Sequence, residues 1–270
     1  MARYEDFRVT NLNVDKILPT GQSASGAGLS PGIWGDCPIL TMKVDPTLGI
    51  FTGDNFTSVM ATGFPYLITG TNGTFTSLAA SAQGVARALT AGADNDECEV
   101  SYNNNVAGLI KAAAANNWWF EARVSIKQIT VAQGIFVGLA EEAGVADNFL
   151  ADDTMALADK DYIGFSFLAA TDIAPAVRTI MRINGGSEKI VKTGIMTAAA
   201  ATWYKLGMKH ADGRTKFYIN GAPLADSVLT TASNYPLNQV MCPTFAVKSG
   251  DVAGTTNYLD IDWWYGAQLR

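Results

Sequence analysis

The chain is poor in charge, in histidine and in cysteine, and each shortage narrows what it can do. Only 16% of its 270 residues are charged, against 48% hydrophobic, and the formal net charge is −6. No Lys/Arg cluster interrupts that acidic balance, which argues against DNA or RNA as a direct ligand. Low charge also implies surface covered by something other than water, and partner subunits are the expectation adopted here. With a single histidine, His210, any Ser-His-Asp or Cys-His catalytic set would have to use that residue. Its place beside an Asp-Gly turn marks it instead as an exposed turn residue. The three cysteines, Cys37, Cys98 and Cys242, are far apart and form no CxxC. That excludes a zinc ribbon or redox motif and fits reduced, buried thiols in a reducing cytoplasm. Residues 1–6 lack the apolar stretch of a signal peptide, and no run approaches the roughly 20 apolar residues that span a bilayer. No membrane association is expected.

What the chain does contain is strand signals. Trp203, Lys205 and Lys209 alternate with Tyr204, Leu206 and Met208, and an Asp212-Gly213 turn follows. Thr215, Phe217 and Ile219 then alternate with Arg214, Lys216 and Tyr218 up to Asn220-Gly221. Asp-Gly and Asn-Gly tolerate the positive φ of a type I′ turn, so this is a strong hairpin signature with one dry and one wet face. Further strands are expected at 97–102, 118–126, 134–140, 162–168, 178–183, 189–193, 245–248 and 258–264. In the second of these, Trp118, Phe120, Ala122, Val124 and Ile126 share a face opposite Trp119, Glu121 and Arg123. Helical stretches are few: 107–116 is alanine-rich but short, 196–202 is an alanine-rich connection, and 141–150 has room for one turn. Short strands at regular spacing predict an all-β, two-sheet antiparallel jelly-roll sandwich.

Residues 1–45 differ from the rest. Positions 20–35 are rich in Gly, Ser and Ala without a period, yet carry Leu29, Ile33 and Trp34, which a plain linker does not need. The expected organisation is an extended N-terminal arm over 1–45 and a jelly-roll domain over 46–270.

Several pieces of the chain, in order, resemble a known family. Ala93, Asn95, Asp96 and Glu99 precede a strand; Trp119-Phe120-Glu121-Ala122-Arg123-Val124 forms another; Gly138-Leu139-Ala140-Glu141 and Asp161-Tyr162-Ile163-Gly164-Phe165 follow. Then come Phe217-Tyr218-Ile219-Asn220-Gly221, Phe245-Ala246-Val247-Lys248-Ser249-Gly250 and Leu259-Asp260-Ile261-Asp262-Trp263. Over residues 84–270 this resembles the concanavalin-A-like, laminin-G-like jelly roll of virion structural proteins in tailed bacteriophages. The resemblance implies a decoration or cement protein on the capsid surface, assembled in the host cytoplasm. Its expected partners are the major capsid protein and other copies of itself, a trimer being favoured. The alternative is a carbohydrate-binding module of a phage fibre or tail that contacts host glycans.

Glycoside hydrolases share such jelly rolls and need two carboxylates across the scissile bond. The Glu-x-Asp-x-x-Glu string of the related glucanases is absent from the chain. Glu97/Glu99 and Asp260/Asp262 are paired on strand faces but read as solvated faces, with Leu259, Ile261 and Trp263 forming the core side of the second. No catalytic residue is assigned, and a non-enzymatic protein is expected. The laminin-G-like resemblance also raises calcium, for which Asp94-Asn95-Asp96 and Asp147 with Asp152-Asp153 are oxygen-rich loops. Ordinary Asx turns are the expected reading of them, so no metal and no cofactor is assigned. If Trp118 and Trp263 are core, Trp119 and Trp264 lie outside, free to stack on a sugar, meet a partner or be covered by the arm. The residues assigned to partner contact are Leu29, Ile33, Trp34, Trp119 and Trp264.

Overall fold

A computed structural model describes residues 26–57, 65–78, 84–102, 109–126, 133–141, 149–150, 157–170, 173–250 and 256–270. Two short helices, α1 (Pro31–Trp34) and α2 (Ile39–Val44), precede the strands. The first six strands are short: β1 (Gly49–Asp54), β2 (Tyr66–Thr69), β3 (Thr74–Ser77), β4 (Ala86–Leu89), β5 (Glu97–Tyr102) and β6 (Ile110–Lys111). Then come β7 (Trp118–Ile126), β8 (Gln133–Glu141), β9 (Tyr162–Ala170), β10 (Ile173–Arg182) and β11 (Lys189–Thr197). The chain closes with β12 (Trp203–Ala211), β13 (Arg214–Ile219), β14 (Ala222–Leu229), β15 (Val240–Ser249) and β16 (Tyr258–Leu269).

Two antiparallel sheets result, as expected. Sheet A runs β14-β13-β12-β7-β16-β4-β3, with β1 also paired to β16. Sheet B runs β11-β10-β9-β8-β15-β5-β2, with β6 also paired to β15. The predicted hairpin is β12–β13, with Met208 opposite Phe217. Asp212 (φ 53°) and Gly213 (φ 69°) both take the positive φ of a type I′ turn.

The dry faces meet between the sheets. Trp118, Phe120, Ala122 and Val124 of β7 pack with Leu206, Met208 and Phe217 of sheet A and with Val137, Phe165 and Phe245 of sheet B. All three cysteines are buried. The helix expected at 107–116 is not formed in its described part: Ile110 is fully buried and pairs with Met241 of β15, so sheet contact overrides alanine's helix preference. Residues 142–148, within the other suspected turn, lie outside the described residues.

One irregularity decides which tryptophan faces where. The β7–β16 register shifts between Ile261 and Trp263, placing a bulge at Asp262. One extra residue inverts the alternation beyond it. Leu259 and Ile261 face the core, but so does Trp264, fully buried with its indole N–H donated to the Tyr66 hydroxyl at 2.9 Å. Trp263, expected inside, faces out and donates to the Ala27 carbonyl at 2.7 Å. Trp119 does lie on the outer face.

Candidate functional site

The outer face of sheet A is wrapped by residues 26–45. Gly207, opposite Glu121 in the β7–β12 register, leaves room for Ile33: a Cβ at 207 would sit 2.3 Å from the Ile33 Cδ1. Trp34, Ile33, Cys37 and Met42 pack there with Trp119, Tyr218 and Ala267. Polar groups rising from the sheet fix the segment. Glu121 Oε2 accepts both the Ser30 backbone N–H (3.0 Å) and the Trp34 indole N–H (2.8 Å). Lys205 Nζ donates to the Gly28 carbonyl at 3.1 Å. Asp36 accepts from the Trp119 indole (3.1 Å) and from Lys209 (2.5 Å).

Burial acts on these groups unequally. It pushes the Glu121 carboxyl up, against the hydrogen bonds from Ser30 and Trp34 and the charge of Lys205. For the more open Asp36, burial also acts upward, but the Lys209 and Trp119 hydrogen bonds outweigh it and the net shift is down. Burial pushes the Lys205 ammonium down, against the attraction of Glu121.

Where this segment meets β1 and β16 it leaves a groove of about 520 Å³. Leu29, Ile39 and Lys43 line one wall; Phe51, Trp263 and Tyr265 form the other. Phe51 and Tyr265 stack at 5.6 Å with a 16° interplanar angle, and Trp263 lies 5.8 Å from Tyr265. The β16 bulge thus brings an indole onto the same face as Tyr265. Lys43 sits 5.1 Å above the Phe51 ring, and Asp262, ion-paired with Arg123, reaches the groove beside Trp263.

Of the residues assigned to partner contact, Leu29 lines this groove. Ile33 and Trp34 face inward from the segment that builds it and pack with Trp119 of the sheet, and Trp264 lies between the sheets. Sequence reasoning missed Glu121, Lys205, Phe51 and Tyr265. The signal for Glu121 was present: a carboxylate flanked by Trp119 and Arg123 in a strand with a continuous dry face opposite.

The other candidates resolve into structural roles. Asp260 forms a two-pronged pair with Arg87 at 2.6 and 2.8 Å. Glu97 and Glu99, expected on a solvated face, are buried on the outer face of sheet B because another part of the chain covers them. Glu99 accepts from the Phe149 N–H (2.6 Å) and the Thr69 hydroxyl (2.9 Å), and Glu97 from the Leu150 N–H (2.8 Å). Burial, then the hydrogen bond and charge of Glu97, hold the Glu99 carboxyl far above the usual carboxylate range.

His210, expected to be exposed, is fully buried, because Trp118 stacks on it at 5.8 Å. Its Nδ1 donates to the Asn116 carbonyl at 2.7 Å, and burial pushes its pKa down. Asp96 accepts from the Ala93 N–H three residues back and from the Asn72 amide, which is local bracing other than the Asx turn expected. Asp147, Asp152 and Asp153 lie outside the described residues. Among the described residues no His, Cys, Asp and Glu side chains group as a metal site.

No protein-family model matches the chain, and no curated protein matches it. Solved structures do. A glycoside hydrolase family 16 protein of the Bacteroides ovatus mixed-linkage glucan locus, in complex with a G4G4G3G product, superimposes with a TM-score of 0.57 at 9% identity. It covers 79% of this chain and 98% of its own. Peanut lectin gives a TM-score of 0.52 at 16% identity, covering 82% of this chain and 98% of its own. The fold is the lectin-like jelly roll. A β-1,3-glucanase from Mycobacterium marinum shares it with a TM-score of 0.53 at 11% identity, covering 80% and 97%.

These likenesses establish the fold, concanavalin-A-like as the resemblance implied, and they overturn one expectation. The chain shares its architecture with glycoside hydrolases, so the assignment as a non-enzyme does not stand. The virion part of the resemblance has no counterpart among these structures.

Proposed function

We propose that this protein binds a carbohydrate chain in the groove between residues 27–43 and strands β1 and β16. The observation that carries the reading is the meeting of three aromatic rings, Phe51, Trp263 and Tyr265, with Asp262 and Lys43 around one cavity. A pyranose presents C–H groups on its flat face and hydroxyls at its rim. The C–H groups pack on the electron-rich faces of aromatic rings, and the hydroxyls pair with a carboxylate and an ammonium. The volume falls within the roughly 300–1,000 Å³ typical of small-ligand pockets. The carbohydrate-active proteins sharing the fold are consistent with this reading.

The test is calorimetric titration of the full chain with mixed-linkage and β-1,3-glucan oligosaccharides and mucin O-glycan fragments, with released reducing ends measured alongside. Binding of at least one probe is expected, weakened at least tenfold by Tyr265→Ala. No binding of any probe, or binding untouched by Phe51→Ala with Tyr265→Ala, overturns the groove. The capsid-surface role rests on sequence resemblance. Co-sedimentation with capsids lacking the protein tests it separately.

A further inference from the structure

Resting on that reading, we infer that Glu121 is the positioning residue that assembles the groove. Its carboxylate touches none of the groove's surface; it acts through residues 28–34, of which Gly28 and Leu29 line the groove.

The groove belongs to two parts of the chain. Phe51, Asp262, Trp263 and Tyr265 come from the sheet, whereas Ala27, Gly28, Leu29, Ile39 and Lys43 come from the wrapping segment. Without the segment in place, the aromatic rings form an open surface rather than a cavity. The segment's own secondary structure is two helices of four and six residues, too short to hold a shape unaided.

Its shape comes from anchors below. Among them Glu121 is distinctive: it is fully buried, and one oxygen takes two donors four residues apart. The first, the Ser30 amide, follows Leu29 directly. The second, the Trp34 indole, fixes the helical turn of α1. The Ser30 side chain acts on the same carboxylate, lowering its pKa against the effect of burial. A fully buried carboxylate carries a desolvation cost that raises its pKa. An apolar residue here would avoid that desolvation cost, but it would leave the Ser30 and Trp34 donors unmatched. The arrangement sets the place of the wall.

Three variants of the full chain test this. Because both donors share one oxygen, Glu121→Gln can keep both bonds through its amide oxygen. Glu121→Leu loses both, and Trp34→Phe keeps the ring but drops one donor. Hydrogen exchange at residues 28–37 reads the clasp without any sugar, and titration with a mixed-linkage β-glucan oligosaccharide reads the groove. Exchange at 28–37 should accelerate at least tenfold in Glu121→Leu and less in Trp34→Phe, with β8 and β15 unchanged. Affinity should fall at least tenfold in Glu121→Leu and stay within threefold of wild type in Glu121→Gln.

Faster exchange with unchanged affinity overturns the inference, because the clasp would then be structural only. Unchanged exchange in Glu121→Leu overturns it too, as does a loss in Glu121→Gln equal to that in Glu121→Leu. Should Glu121→Leu fail to fold, Trp34→Phe against Glu121→Gln carries the same comparison. A wild-type chain that binds no probe sinks the groove itself, an outcome distinct from a bound wild type and an unaffected Glu121→Leu.

Discussion

The two sheets have their outer faces covered by other parts of the same chain, but in different ways. On sheet B the cover is dry. Phe149, Leu150 and Leu157 pack on Phe136, Tyr162, Ile180 and Ala246, with Phe149 centred 5.2 Å from Phe136 and 5.9 Å from Tyr162. Its backbone amides donate to Glu97 and Glu99, and Lys248 donates to its Leu150 carbonyl at 2.8 Å. On sheet A the cover is held by side chains rising from the sheet and leaves an aromatic groove at its margin. Both covers combine apolar packing with polar posts from the sheet; the one over sheet A also leaves room beside it. That contrast is why the candidate site belongs to sheet A.

Removing the apolar plug of sheet B should have the largest effect. Phe149→Ala deletes a fully buried ring from an aromatic trio and should cost about 3–5 kcal/mol in chemical denaturation. Affinity for a glucan oligosaccharide at the groove should change less than twofold. A matching loss of affinity would dissolve the distinction between the faces.

The complementary break is on sheet A. In Gly207→Val the new side chain meets Ile33 under the segment and should cost about 1–3 kcal/mol by overpacking. Unlike Phe149→Ala, it should raise the glucan Kd at least tenfold, because the wall carrying Leu29 is lifted.

The faces also differ in what the sequence discloses about them. Alternation defines β5 and β7 to the residue, and Asp-Gly defines the β12–β13 turn, because these signals are local. What lies over each face is not local. Ser30 reaches Glu121 across 91 positions, and Phe149 reaches Glu99 across 50. Read alone, Glu97 and Glu99 are two carboxylates on a strand face, which solvation explains; only the distant cover makes them buried. The bulge at Asp262 is likewise invisible to alternation, and it exchanged the roles of Trp263 and Trp264. His210 was misjudged for a related reason: its turn is exposed, but Trp118 on the neighbouring strand covers its ring.

Titration separates the covers by sign. The Glu99 pKa is raised in the folded protein, so the fold holds a proton that the unfolded chain has released. Its stabilisation is therefore complete below the ordinary carboxylate range and declines as pH rises above it. Glu99→Gln mimics the protonated form. Relative to this variant, wild type should lose about 1 kcal/mol between pH 6 and pH 8, below the limit of about 1.4 kcal/mol per unit. Equal pH slopes in the two proteins would rule out a proton held on Glu99 in the sheet B cover.

On sheet A the smallest effect has the opposite sign. Asp36 is depressed in the folded protein, chiefly because the Lys209 and Trp119 hydrogen bonds outweigh burial. Its contribution is present above the ordinary carboxylate range and is lost as pH falls through the folded value. The pair is half-open to water, with Asp36 47% exposed, so its worth is discounted to about 0–1 kcal/mol. Asp36→Asn keeps an oxygen for the Trp119 indole and removes only the charge. Its effect on denaturation should be small at neutral pH and low salt, should vanish in about 1 M salt, where screening reaches about 3 Å, and should vanish again in acid. Acid thus loosens the post at Asp36 while favouring the protonated Glu99 that receives the Phe149 amide. Hydrogen exchange, corrected for its intrinsic pH dependence, should show protection falling at residues 28–37 before it falls at 149–150. Loss of both at one pH would mean that the covers open as a single cooperative unit, despite the different chemistry holding them.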